Sequence, residues 1–172
     1  MPASAVDWGL FPCAPGDVVV RASDGAEAWL EGALVLREDV PVAALFIAPD
    51  ASGERAVYAR PRPLHDVAWL VPVASATLLA GAEPPSVIEI DHVRFERVRR
   101  LPLRVERVGE GAPDVGATGL LGEYTSRRGE VAIVLVAAEV HVWRGTKLGT
   151  TEFDVWRGDE TARGRVSREP ST

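Results

Sequence analysis

Cysteine and lysine each occur once in this 172-residue sequence, as Cys13 and Lys147. A single thiol excludes an intramolecular disulfide and any four-sulfur metal site. Apolar runs are short: 18 consecutive apolar residues occur nowhere, so no membrane-spanning helix is expected. The opening MPASAVDWGLFPCAPGD has neither a basic start nor an apolar run of signal-peptide length, and the expected location is cytoplasmic. Helix signals are scarce as well. Residues 74–80 offer a turn or two, stopped by Gly81 and then Pro84-Pro85.

Chemistry-bearing patterns are equally thin. The three histidines, His65, His92 and His141, are scattered and lack the spacing of metal ligands. His65 precedes Asp66, a pair that can orient an imidazole, but the context reads as a surface turn. No Gly-x-Ser-x-Gly nucleophile elbow is present. The run Gly116-Ala-Thr-Gly-Leu-Leu-Gly122 lacks phosphate-loop spacing and a following helix, and reads as a flexible connection. No catalytic residue, cofactor or metal is therefore expected, and the chain reads as a non-enzyme.

What is present is ordinary globular material, 47% hydrophobic and 26% charged, so a disordered chain is excluded. A chain of this length buries roughly 70% of the surface its unfolded form exposes, enough to need no staples. Of 19 basic residues, 18 are arginine; with abundant Ala, Gly and Val this is the composition of a GC-rich coding sequence rather than a phosphate-binding device. The net charge of −6 is carried entirely by residues 1–85, with 5 basic and 11 acidic side chains; residues 86–172 hold 14 of each. An acidic half argues against nucleic-acid binding, which draws its affinity from clustered positive charge.

Frequent punctuation, 16 Gly and 13 Pro, separates short β-branched runs and predicts strands. Residues 131–136 and 140–143 read as a hairpin, with Val140 and Val142 on one face and His141 and Trp143 on the other. Residues 87–90 and 93–98 read as two strands about an Asp91-His92 turn, and Val93 and Phe95 alternate with charged neighbours. Leu101, Leu103 and Val105 continue the alternation, with Pro102 marking an edge or a break.

The pattern also repeats. Residues 44–47 match 132–135, Val57-Tyr58 matches Val142-Trp143, and 69–71 match 153–155, at spacings shrinking from 88 to 84. A longer turn over 49–55 in the first copy accounts for the drift. The expectation is an all-β chain of two similar small antiparallel lobes forming one unit: an apolar arm (1–13), an N-terminal lobe (14–83), a C-terminal lobe (84–157) and a polar tail (158–172).

The C-terminal half carries IEIDHVRFERVRRLPLRVERVG, GEYTSRRGE, VHVWRGTKL and EFDVW. With Glu123-Tyr124, Trp143, Gly145, Phe153 and Trp156 at the matching positions, this run over 86–157 resembles the bacterial domain-of-unknown-function family numbered 4178, with a weaker echo at 14–73. The resemblance implies a β-rich, non-catalytic domain that keeps company with envelope-stress and membrane-remodelling proteins and with polyamine-type enzymes. In the first copy Leu36-Arg37 stands where Glu123-Tyr124 stands in the second, a departure from the pattern.

Two features point to contacts. Arg94, Arg97, Arg99, Arg100, Arg104 and Arg107 form a basic strip, suited to an acidic partner, anionic head groups or a nucleic acid, or to a solvated strand face with ion pairs. Of the five tryptophans, most are expected as anchors in the core or between lobes. In the arm, Trp8, Leu10 and Phe11 either pack back on the domain or dock on a partner. The functional expectation is a binding or scaffold module making protein–protein contacts, including self-association, by strand addition to an unpaired edge or through Trp8, Leu10, Phe11, Arg94, Arg97, Arg99 and Arg100. The alternative is a sensor of small molecules or anionic lipid head groups using a cleft between the lobes.

Overall fold

Residues 42–48 offer apolar side chains to both faces of a strand, and such a strand is stable only where both faces are covered. In the computed structural model of the protein, which describes residues 6–50, 53–64, 67–74 and 83–158, both faces are. Among the described residues, a 3-10 turn at Trp8–Leu10 precedes twelve strands. They are β1 (Val18–Arg21), β2 (Glu27–Trp29), β3 (Gly32–Arg37), β4 (Pro41–Asp50), β5 (Gly53–Ala59) and β6 (Val67–Val73), then β7 (Val87–Ile90), β8 (Val93–Val108), β9 (Thr118–Ser126), β10 (Glu130–Val136), β11 (Val140–Leu148) and β12 (Phe153–Trp156). No helix among them is long and apolar enough to cross a membrane.

Eight strands pair antiparallel in the order β3-β4-β5-β6-β11-β10-β9-β8, and β3 pairs back onto β8 to close a barrel. Strand β7 lies against the start of β8, beyond the reach of β3. Strands β12, β1 and β2 form a separate three-stranded sheet. Three apolar clusters follow from strand alternation. Leu34, Leu45, Ile47, Leu70, Leu121, Ile133 and Trp143 fill the barrel. Ala44, Phe46, Val57 and Trp69 project outward beneath Val19 and Ala28 of the small sheet and Phe11 of the arm. Ala132, Val134 and Val142 project outward elsewhere, beneath Ile88, Ile90 and Phe95.

The all-β expectation holds, but the chain is not divided into two lobes meeting near residue 84. Each half supplies four barrel strands, and both seams, β6–β11 and β3–β8, join a strand of one half to a strand of the other. The physical reason is edge satisfaction. A four-strand meander of either half leaves two unpaired edges, and sharing closes both at once. The matched segments also part company: β6 is a barrel strand, whereas its counterpart β12 lies in the small sheet.

Local expectations are met more closely. Strands β10 and β11 form the predicted hairpin, with Val142 in an outer cluster and Trp143 inside. Asp91 and His92 turn between β7 and β8 with φ of 49° and 66°, the left-handed pair that a two-residue hairpin requires. The turn expected over 49–55 is shorter than predicted, because Ala48–Arg55, Pro49–Glu54 and Asp50–Gly53 are strand pairs. Residues 118–122 are strand rather than flexible connection. Gly122 is there for packing: a Cβ would stand 2.7 Å from the Tyr124 ring and 2.8 Å from Pro84. The helical turn expected over 74–80 (apart from Ala74), the His65-Asp66 pair and the tail beyond Gly158 lie outside the described residues.

Residues 93–108, expected as two pieces, are one strand with a register shift between Arg97 and Arg99. Before the shift, Val93 and Phe95 pack in an outer cluster; after it, Leu101, Leu103 and Val105 pack in the barrel. One extra residue inverts which face the odd-numbered side chains occupy, as a β-bulge does. Pro102 falls in the stretch of β8 between its pairings with β7 and β3, where only β9 flanks it, so the missing N–H costs no ladder bond on that side.

Candidate functional site

The bulge decides where Arg99 points. In the unbroken alternation of β8 it would share the outward face of Phe95 and Arg97; with Val98 inserted, Arg99 turns inward and pairs in register with Glu123 of β9. Glu123 follows Leu121 by two residues and therefore faces the interior as well. Tyr58 of β5 enters from across the barrel, because its neighbour Val57 is taken up by the outer cluster.

These three side chains form one network. Arg99 donates from Nε to Glu123 Oε1 at 2.6 Å and from a terminal nitrogen to Oε2 at 3.1 Å, the two-pronged geometry that suits guanidinium and carboxylate. The Tyr58 hydroxyl donates to Glu123 Oε2. Glu123 is only 7% exposed, and a carboxylate so placed is costly unless its lone pairs are met. Burial pushes the Tyr58 phenol well above its ordinary range, and the charge and hydrogen bond of Glu123 push it further. For Arg99, burial pulls downward, but its bonds to Glu123 more than offset this and leave it raised. The network is thus a neutral tyrosine and an ion pair.

Beside it the barrel end opens into a hollow of about 140 Å3. Its walls are Tyr58, Val67, Ala68, Val131 and Ile133, with Glu123 and Thr125 adding polar edges. Arg60, just past the end of β5, and Lys147, near the end of β11, bring positive charge to the opening. Chemically this is an apolar recess with oriented polar groups at one side and cations at its rim, which is the construction of a small-ligand site.

The structure does not bring the sequence-predicted contact residues together. Trp8 and Phe11 pack back, their rings 5.7 Å and 6.5 Å from Phe46, while Leu10 stays half-exposed. The arginine strip is not one face. Arg99 points inward; Arg97 donates to Pro84 O at 2.7 Å; Arg100 pairs with Glu83 at 2.7 Å, and Arg94 with Glu96 at 3.4 Å. Arg104 and Arg107 donate to the backbone carbonyls of Glu38 and Ala112. Two of the five tryptophans are not anchors: Trp29 is 53% exposed and Trp156 51%. They flank Val18 in one cross-strand row on the face of the small sheet that points away from the barrel.

His92 is exposed, 3.8 Å from Glu89, and His141 stacks on Trp143. Burial pushes the Cys13 thiol up, and the charge of Asp17 adds to this, so no thiolate is available near neutral pH. No cluster of metal-ligating side chains occurs among the described residues.

Sequence reasoning gave no site role to Tyr58, Arg60 or Lys147, and took Arg99 for a surface residue. The one available signal for Glu123 was its place in the Glu123-Tyr124 pair. The buried Asp17 was missed too: it accepts from the backbone of Ala14 and Gly158 and from Arg157, tying the arm to the end of β12. No family model, curated protein or solved structure matches the chain.

Proposed function

We propose that the protein is a non-enzymatic binding module whose principal site is the open barrel end beside Tyr58, Glu123 and Arg99, and that this site takes a small molecule. The cleft expected between lobes becomes, in this reading, the mouth of the shared barrel. One observation carries it: an apolar recess of about 140 Å3 in which a tyrosine, a carboxylate and two cations converge on one opening. The family numbered 4178, a duplicated ancestry for the two four-strand meanders, and a cytoplasmic setting beside envelope-stress proteins belong to this proposal as well.

The test is a fragment screen read by methyl NMR on the full chain. Binding at the barrel end shifts the methyl signals of Ala68, Val131 and Ile133 and spares those of Val19 and Ala28 under the small sheet. A screen in which no fragment moves the first set would end the reading.

A second reading, a protein-contact module that includes self-association, is favoured by the row Trp29–Val18–Trp156. Half-exposed tryptophans side by side on one sheet face are residues that interfaces use. Replacing both by serine would then abolish association while leaving the barrel intact.

A further inference from the structure

We infer that the outward face of the β12–β1–β2 sheet docks a basic segment of a protein partner, one with lysine or arginine side chains on either side of an apolar residue. The inference rests on the second reading above, of this face as a protein contact, and narrows it.

Register sets the face. Val19, Ala28, Phe153 and Val155 turn toward the barrel, so alternation turns their neighbours away from it. Those neighbours form two cross-strand rows, Trp29–Val18–Trp156 and Glu27–Val20–Asp154. Val18 is only 6% exposed although it faces outward, so the first row is a filled apolar strip rather than a gap between two indoles.

Each outer strand thus carries an acid two residues before a tryptophan on the same face: Glu27 with Trp29, and Asp154 with Trp156. Their Cα atoms are about 7 Å apart along the strand. A cation lying over either indole is within reach of the neighbouring acid, and the ring face and the carboxylate attract it together. The two acid–indole pairs are two strand spacings apart, about 10 Å, with Val18 and Val20 between them. The complement of that pattern is cation, apolar side chain, cation.

The charge on this face is unmatched. Glu27 and Asp154 are exposed, and neither forms an ion pair with a described residue. The nearby cations are engaged elsewhere. Arg21 turns inward over Trp69 and pairs with Asp24 at 2.6 Å, and Arg157 pairs with Asp17 at 3.2 Å. None of the six side chains in the two rows is basic.

A second copy of the chain is the poorer occupant. A two-fold contact through this face sets Glu27 and Asp154 of one copy against the same acids of the other, and neither face supplies a cation. The net charge of −6 acts in the same direction, against a second copy and toward a basic partner.

The experiment titrates the full chain with the amidated peptide KTVTKTVTK, or with its glutamine counterpart QTVTQTVTQ, and follows the indole N–H signals by NMR. The lysine peptide is expected to shift the signals of Trp29 and Trp156 and to spare those of the buried Trp69 and Trp143. It should bind at least about tenfold more tightly than the glutamine peptide at low salt. The variant E27Q/D154N, altered only at exposed positions and checked by an unchanged urea midpoint, should bring the two peptides to within about twofold. Equal affinities at Trp29 and Trp156 in the parent would overturn the inference and leave the contact face standing. No shift at either tryptophan, with self-association that W29S/W156S abolishes in sedimentation, would overturn it in favour of a second copy. No shift and no self-association would remove both.

Discussion

Arg99 holds both carboxylate oxygens of Glu123 from the adjacent strand, at 2.6 Å and 3.1 Å, although its neighbour Arg97, on the same strand, points to the opposite face and donates to Pro84. The inserted Val98 separates the two roles, one inside the barrel and one outside. A polar network inside a barrel otherwise lined by apolar side chains is costly, and it persists here because each Glu123 oxygen has a donor.

Removing both partners together should cost less than the sum of removing each alone. Arg99→Met leaves Glu123 without its cation and is expected to lower stability by about 2 kcal/mol, below the figure for a fully buried pair because Arg99 is one-third exposed. The double variant R99M/E123Q should lose less than the sum of its single variants. Urea unfolding of the four proteins of this cycle measures the coupling, and additive losses would show that the pair does not act as one unit.

Both tyrosines of the chain should titrate abnormally. Burial pushes Tyr124 up to about 12, and Tyr58 lies well above the usual phenol value. Absorbance of the native protein at a phenolate wavelength should therefore show no transition near pH 10. Because the folded state holds protons that the unfolded chain releases from about pH 10, stability is full below that pH. It should fall as the pH rises from there through about 12. A tyrosine ionising near pH 10 without unfolding would contradict the burial of both rings.

Gly145 is the tightest point of the β6–β11 seam. A Cβ there would lie 1.8 Å from the Trp69 carbonyl oxygen, a contact that only backbone movement relieves. Gly145→Ala is expected to cost about 3 kcal/mol or more. Gly116→Ala, at φ of +96° but with open space around it, should cost only about 1 kcal/mol. Thermal unfolding of both variants checks the ranking.

Deleting Val98 tests the bulge. Without it, Arg99, Leu101, Leu103 and Val105 and the segment before them cannot all keep their present faces, and cooperative unfolding should be lost. Val98→Thr, at a position 62% exposed, should change stability by less than about 0.5 kcal/mol. A deletion variant that unfolds as cooperatively as the parent would show that the bulge is dispensable.

The hairpin of β10 and β11 was legible because Val, Ile and Leu over 131–136 have few other stable uses, and the alternation over 140–143 assigned its faces correctly. The candidate site was much less so. Tyr58 was marked only as part of a repeat, which says nothing of what its hydroxyl meets, and Arg99 was one of six similar arginines until a register shift singled it out. Alternation is read relative to a starting face, and a single inserted residue changes that face without leaving a mark in the hydrophobic pattern.

The amino-acid sequence by itself determined that this chain is built of short antiparallel strands, where several of them lie, and how Asp91 and His92 turn. Those properties depend on neighbours along the chain: side-chain branching, period-two alternation and local turn chemistry. Closure of eight strands into one barrel, with each half completing the edges of the other, depended on pairings between residues such as Trp69 and Thr146 that lie far apart in sequence. Only the tertiary structure decided that Tyr58, Arg99 and Glu123 meet, because their union requires the barrel to be closed and β8 to carry its extra residue, which together bring side chains of three separate strands within hydrogen-bond reach.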